Sequence, residues 1–301
     1  MEKLTSHRNL KELVERHGFQ FTKSLGQNFL VDENILRKIV EAAELTKEDL
    51  VIEVGPGAGT LTRALSEAAG RVIAVEIDRK LIPILEETLA DRENVKILNQ
   101  DILKADLKEL AALLGKGRKL KVVANLPYYI TTPIILRFFE EGIPMHSMTV
   151  MMQKEVADRI HAQPGTKDYG SLTIALRYYC ESRVVTKAPR GAFVPTPAVD
   201  SCVLHLRVKD SPGVVCQKEA LFFEVVRAGF SKRRKTLQNA LSSYGSLGGR
   251  KEAEEALQRS GIDGGRRAET LTMDEFAALA NAYDRVLENK DAAPPMKVNP
   301  Q

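Results

Sequence analysis

The chain has 301 residues, 44% of them apolar and 28% charged, which is the balance of a folded globular protein rather than a disordered one. No apolar run exceeds five residues and the opening MEKLTSHRNLKEL has no apolar core, so neither a membrane-spanning helix nor a secretory leader is expected. The net charge is only +4, but it is unevenly placed: residues 227 to 250 carry six basic side chains (Arg227, Lys232, Arg233, Arg234, Lys235, Arg250) and no acidic one, a pattern suited to a polyanionic partner.

In chain order, residues 5–17 read as an amphipathic helix with Leu10, Leu13 and Val14 on one side and Thr5 or Ser6 as its cap. The loop 22–34 leads into a helix carrying Ile35, Leu36, Ile39 and Val40. A strand–helix rhythm follows. Strands are expected at 49–54, 71–78, 95–101, 120–127 and 148–153, with helices at 61–68, 81–89, 105–114 and from Pro133 to Phe139. Such alternation implies βαβ crossovers and a parallel sheet with helices on both faces. The segments 182–188 and 198–208 are joined by PRGAFVPTP, too short and proline-rich for a crossover helix, so the last pair is predicted antiparallel. Ser211-Pro212-Gly213 reads as a linker, which divides the chain into domains at 1–210 and 211–290 with a loose tail at 291–301. Beyond the linker the pattern is helical, and Thr272-Met-Asp-Glu275 is a capping box for the last helix. The cysteines (Cys180, Cys202, Cys216) and five scattered histidines have neither disulfide nor ligand spacing, so they are read as packing residues of a cytoplasmic protein without a metal.

Glu53-Val-Gly55-Pro-Gly57-Ala-Gly59-Thr60 ends the first strand of the rhythm and opens a helix, which places it in the binding crevice of an open α/β sheet. The three glycines let a backbone approach a ligand closely. A phosphate-binding P-loop is excluded, because no lysine follows at the required spacing. A dinucleotide is the main competitor, but the spacing is G-x-G-x-G, and Glu53 would repel a pyrophosphate. A cationic, phosphate-free cofactor suits that carboxylate, and S-adenosylmethionine is such a molecule. At the second strand end Glu76 can accept both ribose hydroxyls, with Ile77 beside it. At the third, Asp101 can bind an adenine amino group while Ile102 covers the ring.

The fourth strand ends in Asn125-Leu126-Pro127-Tyr128. An exocyclic aromatic amine is a poor nucleophile because its lone pair is delocalised. The Asn125 side-chain oxygen and the Leu126 carbonyl can accept its hydrogens and turn the lone pair towards a methyl donor. Pro127 fixes the turn, and Tyr128 offers a flat surface for a base taken out of its helix. No strong general base is needed, since the amine becomes acidic only after transfer.

Together with these segments, Leu25-Gly-Gln-Asn-Phe-Leu30, Phe193-Val-Pro-Thr-Pro-Ala-Val-Asp-Ser201 and Phe230-Ser-Lys-Arg-Arg-Lys-Thr-Leu-Gln-Asn-Ala-Leu241 make the chain resemble the ribosomal RNA adenine dimethyltransferases, in particular the small-subunit type, from about residue 10 to 285. The resemblance implies a Rossmann-like class I methyltransferase sheet with an antiparallel last strand and a small all-α C-terminal RNA-binding domain. It implies cofactor contacts from Gln27, Asn28 and Leu30 besides Glu53, Gly55, Gly57, Gly59, Glu76, Ile77, Asp101, Ile102 and Asn125, and a stack of Phe193 on the target adenine opposite Tyr128. RNA contacts are expected from Arg227, Lys232, Arg233, Arg234 and Lys235, whereas Gln238 departs from the arginine common there. The implied reaction is double N6 methylation of two adjacent adenosines in a hairpin loop near the 3′ end of 16S rRNA, by a monomer acting on the immature small subunit. The rival readings are a large-subunit rRNA dimethylase of antibiotic resistance, an N6-adenine DNA methyltransferase and an assembly factor acting mainly by binding.

Overall fold

Residues 4–22, 25–113 and 120–291 are described by the computed structural model. The strands are β1 (Phe29–Leu30), β2 (Leu50–Val54), β3 (Arg71–Glu76), β4 (Val95–Asn99), β5 (Leu120–Asn125), β6 (Met145–Gln153), β7 (Cys180–Ala188), β8 (Phe193–Val194) and β9 (Ser201–Val208). Seven of them form one sheet in the order β4-β3-β2-β5-β6-β9-β7. β2 is buried at every position, as a central parallel strand requires, and it carries Glu53 into the interior with four apolar residues. The pairs from β4 to β6 are parallel, and β9 runs antiparallel to both β6 and β7. The predicted antiparallel ending is therefore correct. Strand order reverses between β2 and β5, so the crevice at their carboxyl ends is a topological switch point.

The helices α1 (His7–Arg16), α2 (Glu33–Ala42), α3 (Thr60–Ala68), α4 (Ile82–Thr88), α5 (Leu107–Ala112) and α6 (Thr131–Glu140) fall where the periodicity puts them. Ser6 caps α1, its hydroxyl accepting the Asn9 amide. The end of the expected helix at Leu114 and the tail at 292–301 lie outside the described residues. β1 and β8 make a two-stranded antiparallel ribbon that sequence reasoning missed, with Phe29 opposite Val194 and Leu30 opposite Phe193.

The chain divides into two compact units, Met1–Asp158 with Cys180–Lys209, and Arg159–Tyr179 with Asp210–Gln301. The last of the three boundaries, between Lys209 and Asp210, lies beside the expected linker, whereas Arg159–Tyr179, inside the expected first domain, clusters with the second unit. Helix α8 (Ser171–Tyr179) belongs with the helical unit because its aromatics pack there: Tyr178 stacks on Phe222 with centroids 5.1 Å apart, and Tyr179 on Phe223 at 5.3 Å. Both phenylalanines sit on α9 (Glu219–Phe230). The unit also holds α10 (Leu237–Ser242), α11 (Arg250–Ser260) and α12 (Met273–Asp291), while α7 (Lys154–His161) straddles the division. The predicted capping box forms, with the Thr272 amide donating to Glu275 Oε2 at 2.7 Å and the Glu275 amide to Thr272 Oγ1 at 3.2 Å. All three cysteines are free.

One buried charge holds the base of the first unit's sheet. Lys121, at the start of β5, donates to the Glu44 carbonyl at 2.5 Å and to Asp49 Oδ2 at 2.9 Å, and its side chain is only 8% exposed. Asp49→Ala should cost about 3 kcal/mol in urea unfolding, because it leaves an ammonium unpaired in the interior. The double replacement Asp49→Leu with Lys121→Met should recover most of that loss. A double variant as unstable as the single would place the effect in the bonds from Thr46 to Asp49 instead.

Candidate active site

The carboxyl ends of β2, β3 and β5 and the turn after β4 open on one cleft. Sequence reasoning assigned it Gln27, Asn28, Leu30, Glu53, Gly55, Gly57, Glu76, Ile77, Asp101, Ile102, Asn125, Leu126, Pro127 and Tyr128, and the structure brings all of these together in its wall. Gly59 stands just behind, capping α3 with φ +87°. The glycines are dictated chiefly by backbone and packing. A Cβ on Gly57 (φ +60°) would lie 2.9 Å from the Phe29 ring, and one on Gly59 would lie 2.8 Å from Thr88 Oγ1. Only Gly55, whose Cβ would reach nothing nearer than Pro127 at 3.9 Å, has room on the ligand side.

The polar atoms have distinct partners. Gln27 bridges the N-terminal loop to the end of β3, its Nε2 donating to Asp78 Oδ2 at 2.7 Å and its Oε1 accepting the Thr22 amide at 2.7 Å. Asn125 Nδ2 donates to the Asn28 carbonyl at 2.8 Å, which engages the amide nitrogen and leaves the side-chain oxygen as acceptor. The Leu126 amide donates to the Met151 carbonyl at 3.0 Å, so that peptide is anchored to β6. Tyr128 is held by a 2.5 Å hydrogen bond between its hydroxyl and Ser201 Oγ. Glu76 Oε1 accepts the Asp78 amide at 2.8 Å, so part of its capacity orders the turn. Asp101 Oδ1 likewise accepts the Leu103 amide at 2.9 Å.

Phe193 does not join them. It is 1% exposed, lies in the core cluster with Leu30, Met151 and Val203, and is absent from the cleft wall. The expected clamp of Tyr128 and Phe193 is therefore corrected: pairing of β8 with β1 turns the Phe193 ring into the core. Thr60 and Tyr129 line the cleft and were passed over, although Thr60 stands inside the glycine motif and Tyr129 directly follows the Asn125–Tyr128 motif. Tyr129 is 53% exposed and is the most open aromatic of the wall.

The cleft has a marked electrostatic character. Glu53, Glu76 and Asp101 line it, and no lysine, arginine or histidine does so among the described residues. Glu53 is 1% exposed, and its Oε2 and the Thr60 hydroxyl have no hydrogen-bond partner. Burial, against the pull of the Thr62 hydroxyl and reinforced by the charge of Glu76, pushes the Glu53 carboxyl up to about 8. Burial also pushes Glu76 up to about 7, against the pull of the Asp78, Gly57 and Ile77 amides. A phosphate would meet only repulsion here. A cation with hydroxyl and amino groups finds the acceptors it needs, and S-adenosylmethionine has that chemistry. A seven-stranded sheet of this order, a glycine loop at its switch point and a cationic-cofactor cleft define an S-adenosylmethionine-dependent methyltransferase of class I.

Comparison with known proteins narrows the class. Residues 18–285 match the ribosomal RNA adenine dimethylase family. The chain is 51% identical over 290 residues to the ribosomal RNA small subunit methyltransferase A of Clostridioides difficile (strain 630), across 96% of this chain and 100% of that protein. A dimethyladenosine transferase from Plasmodium falciparum is similar in structure with a TM-score of 0.72 and 25% identity, over 86% of this chain and 98% of that one. The 23S rRNA methyltransferase ErmE gives 0.60 and 30%, over 85% and 100%. The chain belongs to the ribosomal RNA adenine dimethylase family, and it is an rRNA adenine dimethyltransferase that uses S-adenosylmethionine.

The buried carboxylates give the cofactor-free protein a defined pH response. Both hold a proton more tightly folded than unfolded, so their stabilisation is complete below about pH 4.5 and is lost as pH rises through about 7 and 8. Between about pH 5 and pH 9 the melting temperature should therefore fall relative to that of Glu53→Gln. A constant gap between the two proteins in scanning calorimetry would show that Glu53 ionises like a surface carboxylate.

Proposed function

We propose that the chain transfers methyl groups to N6 of two adjacent adenosines in a hairpin loop near the 3′ end of 16S rRNA, twice on each. The observation that carries this reading is the Asn125-Leu126-Pro127-Tyr128 strand end in the cofactor cleft of a chain half identical, over its relative's full length, to a small-subunit enzyme. The lower identity to the 23S rRNA methyltransferase ErmE, 30%, favours the small-subunit target. In this reading the enzyme is a cytoplasmic monomer, and its substrate is the RNA within an immature small subunit late in assembly. Mass spectrometry of rRNA, after incubation of undermethylated subunits with the protein and labelled S-adenosylmethionine, tests it. Label confined to large-subunit rRNA would overturn it.

The chemistry follows from the residues. S-adenosylmethionine supplies an electrophilic methyl on a sulfonium. Asn125 accepts one amine hydrogen through its side-chain oxygen, and the Leu126 carbonyl accepts the other. Tyr128 supports the base by its ring while Ser201 holds its hydroxyl away from the reacting atoms. Burial pushes the Tyr128 phenol upward, so it stays protonated throughout. Asn125→Ala should slow methylation by about 10²–10³ while leaving cofactor affinity nearly unchanged, by analogy with loss of one preorganised polar contact. Normal turnover with poor cofactor affinity would give Asn125 a purely cofactor-holding role.

Arg227, Lys232, Arg233, Arg234 and Lys235 are exposed at and beyond the end of α9 and serve as the phosphate-binding surface in this reading. Arg233 already donates to the Lys167 carbonyl, which fixes one guanidinium on that surface. Gln238 donates to Glu254 at 2.6 Å and is assigned no phosphate. Replacing Arg233 and Arg234 with alanine should lower the salt dependence of subunit binding by about 0.7–0.9 per lost phosphate contact. A slope equal to wild type would mark the pair as merely solvated charge.

A further inference from the structure

Glu53 occupies an unusual position for an acidic side chain. It sits at the end of the central strand β2, 1% exposed, with one carboxylate oxygen lacking any partner. The neighbours that face it offer no compensating charge. Glu76 from β3 adds a like charge, the Thr62 hydroxyl from α3 brings none, and among the described residues the cleft wall holds no lysine, arginine or histidine. An interior carboxylate without a cation is stable only when it is protonated or when a ligand brings the missing charge. The methyl donor and its product differ in that very respect: the donor carries a sulfonium and the product a neutral thioether.

We infer that Glu53 is the residue by which the cleft distinguishes the charged methyl donor from the demethylated product, ionised against the first and protonated beside the second. The inference rests on the methyltransferase reading of the cleft. In each turnover the S–CH₃ bond breaks with its electron pair retained by sulfur, and the amine lone pair forms the new N–CH₃ bond. One proton then leaves the alkylated nitrogen, so a positive charge disappears from the cleft and one proton appears in the solution. Glu53 takes up one proton as the sulfonium charge is lost. That uptake removes its attraction for the site's occupant, so the product is released from a neutral cleft and a fresh donor binds by expelling the proton again. An enzyme that must exchange its cofactor between successive methylations of one base gains from such discrimination. The elevation of the Glu53 carboxyl to about 8 places the exchange within the neutral range.

The test is binding, not turnover. Dissociation constants of S-adenosylmethionine and S-adenosylhomocysteine would be measured by calorimetry from about pH 6 to pH 8, for the wild-type chain and for Glu53→Gln. The ratio of product to donor dissociation constants should rise with pH in the wild type by about tenfold or more beyond its change in the variant, as one linked proton requires. Titration within the ligands is common to both proteins and cancels in the comparison. Equal pH dependence in the two proteins overturns the inference while leaving the methyltransferase reading intact. Failure of the wild type to bind either ligand overturns both. Should Glu53→Gln not fold, proton release by the wild type in buffers of different ionisation enthalpy decides the matter. Greater release for the donor than for the product at pH 7 supports the inference, and release no greater for the donor overturns it.

Discussion

The site depends on one electrostatic constraint: carboxyl groups gathered at the ends of neighbouring parallel strands with no cation among the described residues around them. A parallel sheet is buried on both faces, so a polar residue at its strand ends is either desolvated or turned to the crevice. Glu53 and Glu76 are both, at 1% and 4% exposure. In the free protein their cost is relieved by protonation, and for Glu76 also by backbone amides, and a cationic ligand favours their ionised form. Cofactor choice is thus a property of the strand ends, and the glycine loop serves mainly to let β2 turn sharply into α3.

The remaining geometry exists to hold that crevice open and correctly lined. The loop carrying Gln27 and Asn28 would be free to drift were it not fixed at three points. Gln27 is bound to Asp78, the Asn28 carbonyl accepts from Asn125, and Phe29–Leu30 pair with Phe193–Val194. The Asn28–Asn125 bond is the most consequential of these. It joins the loop that carries Gln27 and Asn28 to the end of β5, and it engages the Asn125 amide nitrogen so that the side-chain oxygen is left as the free acceptor. Phe193, although not a stacking residue in this arrangement, supports the site by pinning Leu30 in its wall.

What was legible in the sequence was what local pattern encodes. Alternating apolar runs marked β2 to β6, the short proline-rich connection marked β9 as antiparallel, and Thr272 to Glu275 announced a cap that forms as read. The strand ends then placed most of the cleft wall, because Glu53, Glu76, Asp101 and Asn125 follow directly from strand order. The β1–β8 ribbon was not legible, since two paired residues carry no periodicity and the partners are 163 or more positions apart. Phe193 was misread for the same reason: in a proline-rich loop an aromatic looks available, and only the ribbon buries it. The placement of α8 with the helical unit is also a matter of tertiary packing, decided by Tyr178 and Tyr179 against Phe222 and Phe223 rather than by any linker.

The same negative cleft that selects the cofactor constrains how RNA is handled. Phosphates near Glu53, Glu76 and Asp101 would be repelled, and inside a partly desolvated crevice such repulsion is weakly screened. Only a neutral base can be drawn in, which favours a base removed from its helix over a stacked one. Attraction for the backbone must then come from elsewhere. The exposed run of Lys232, Arg233, Arg234 and Lys235, on a separate compact unit, has the opposite sign and no acidic residue within it. In the proposed reading the polyanion and the cationic cofactor are thus met by side chains of opposite sign that belong to two different compact units of one chain.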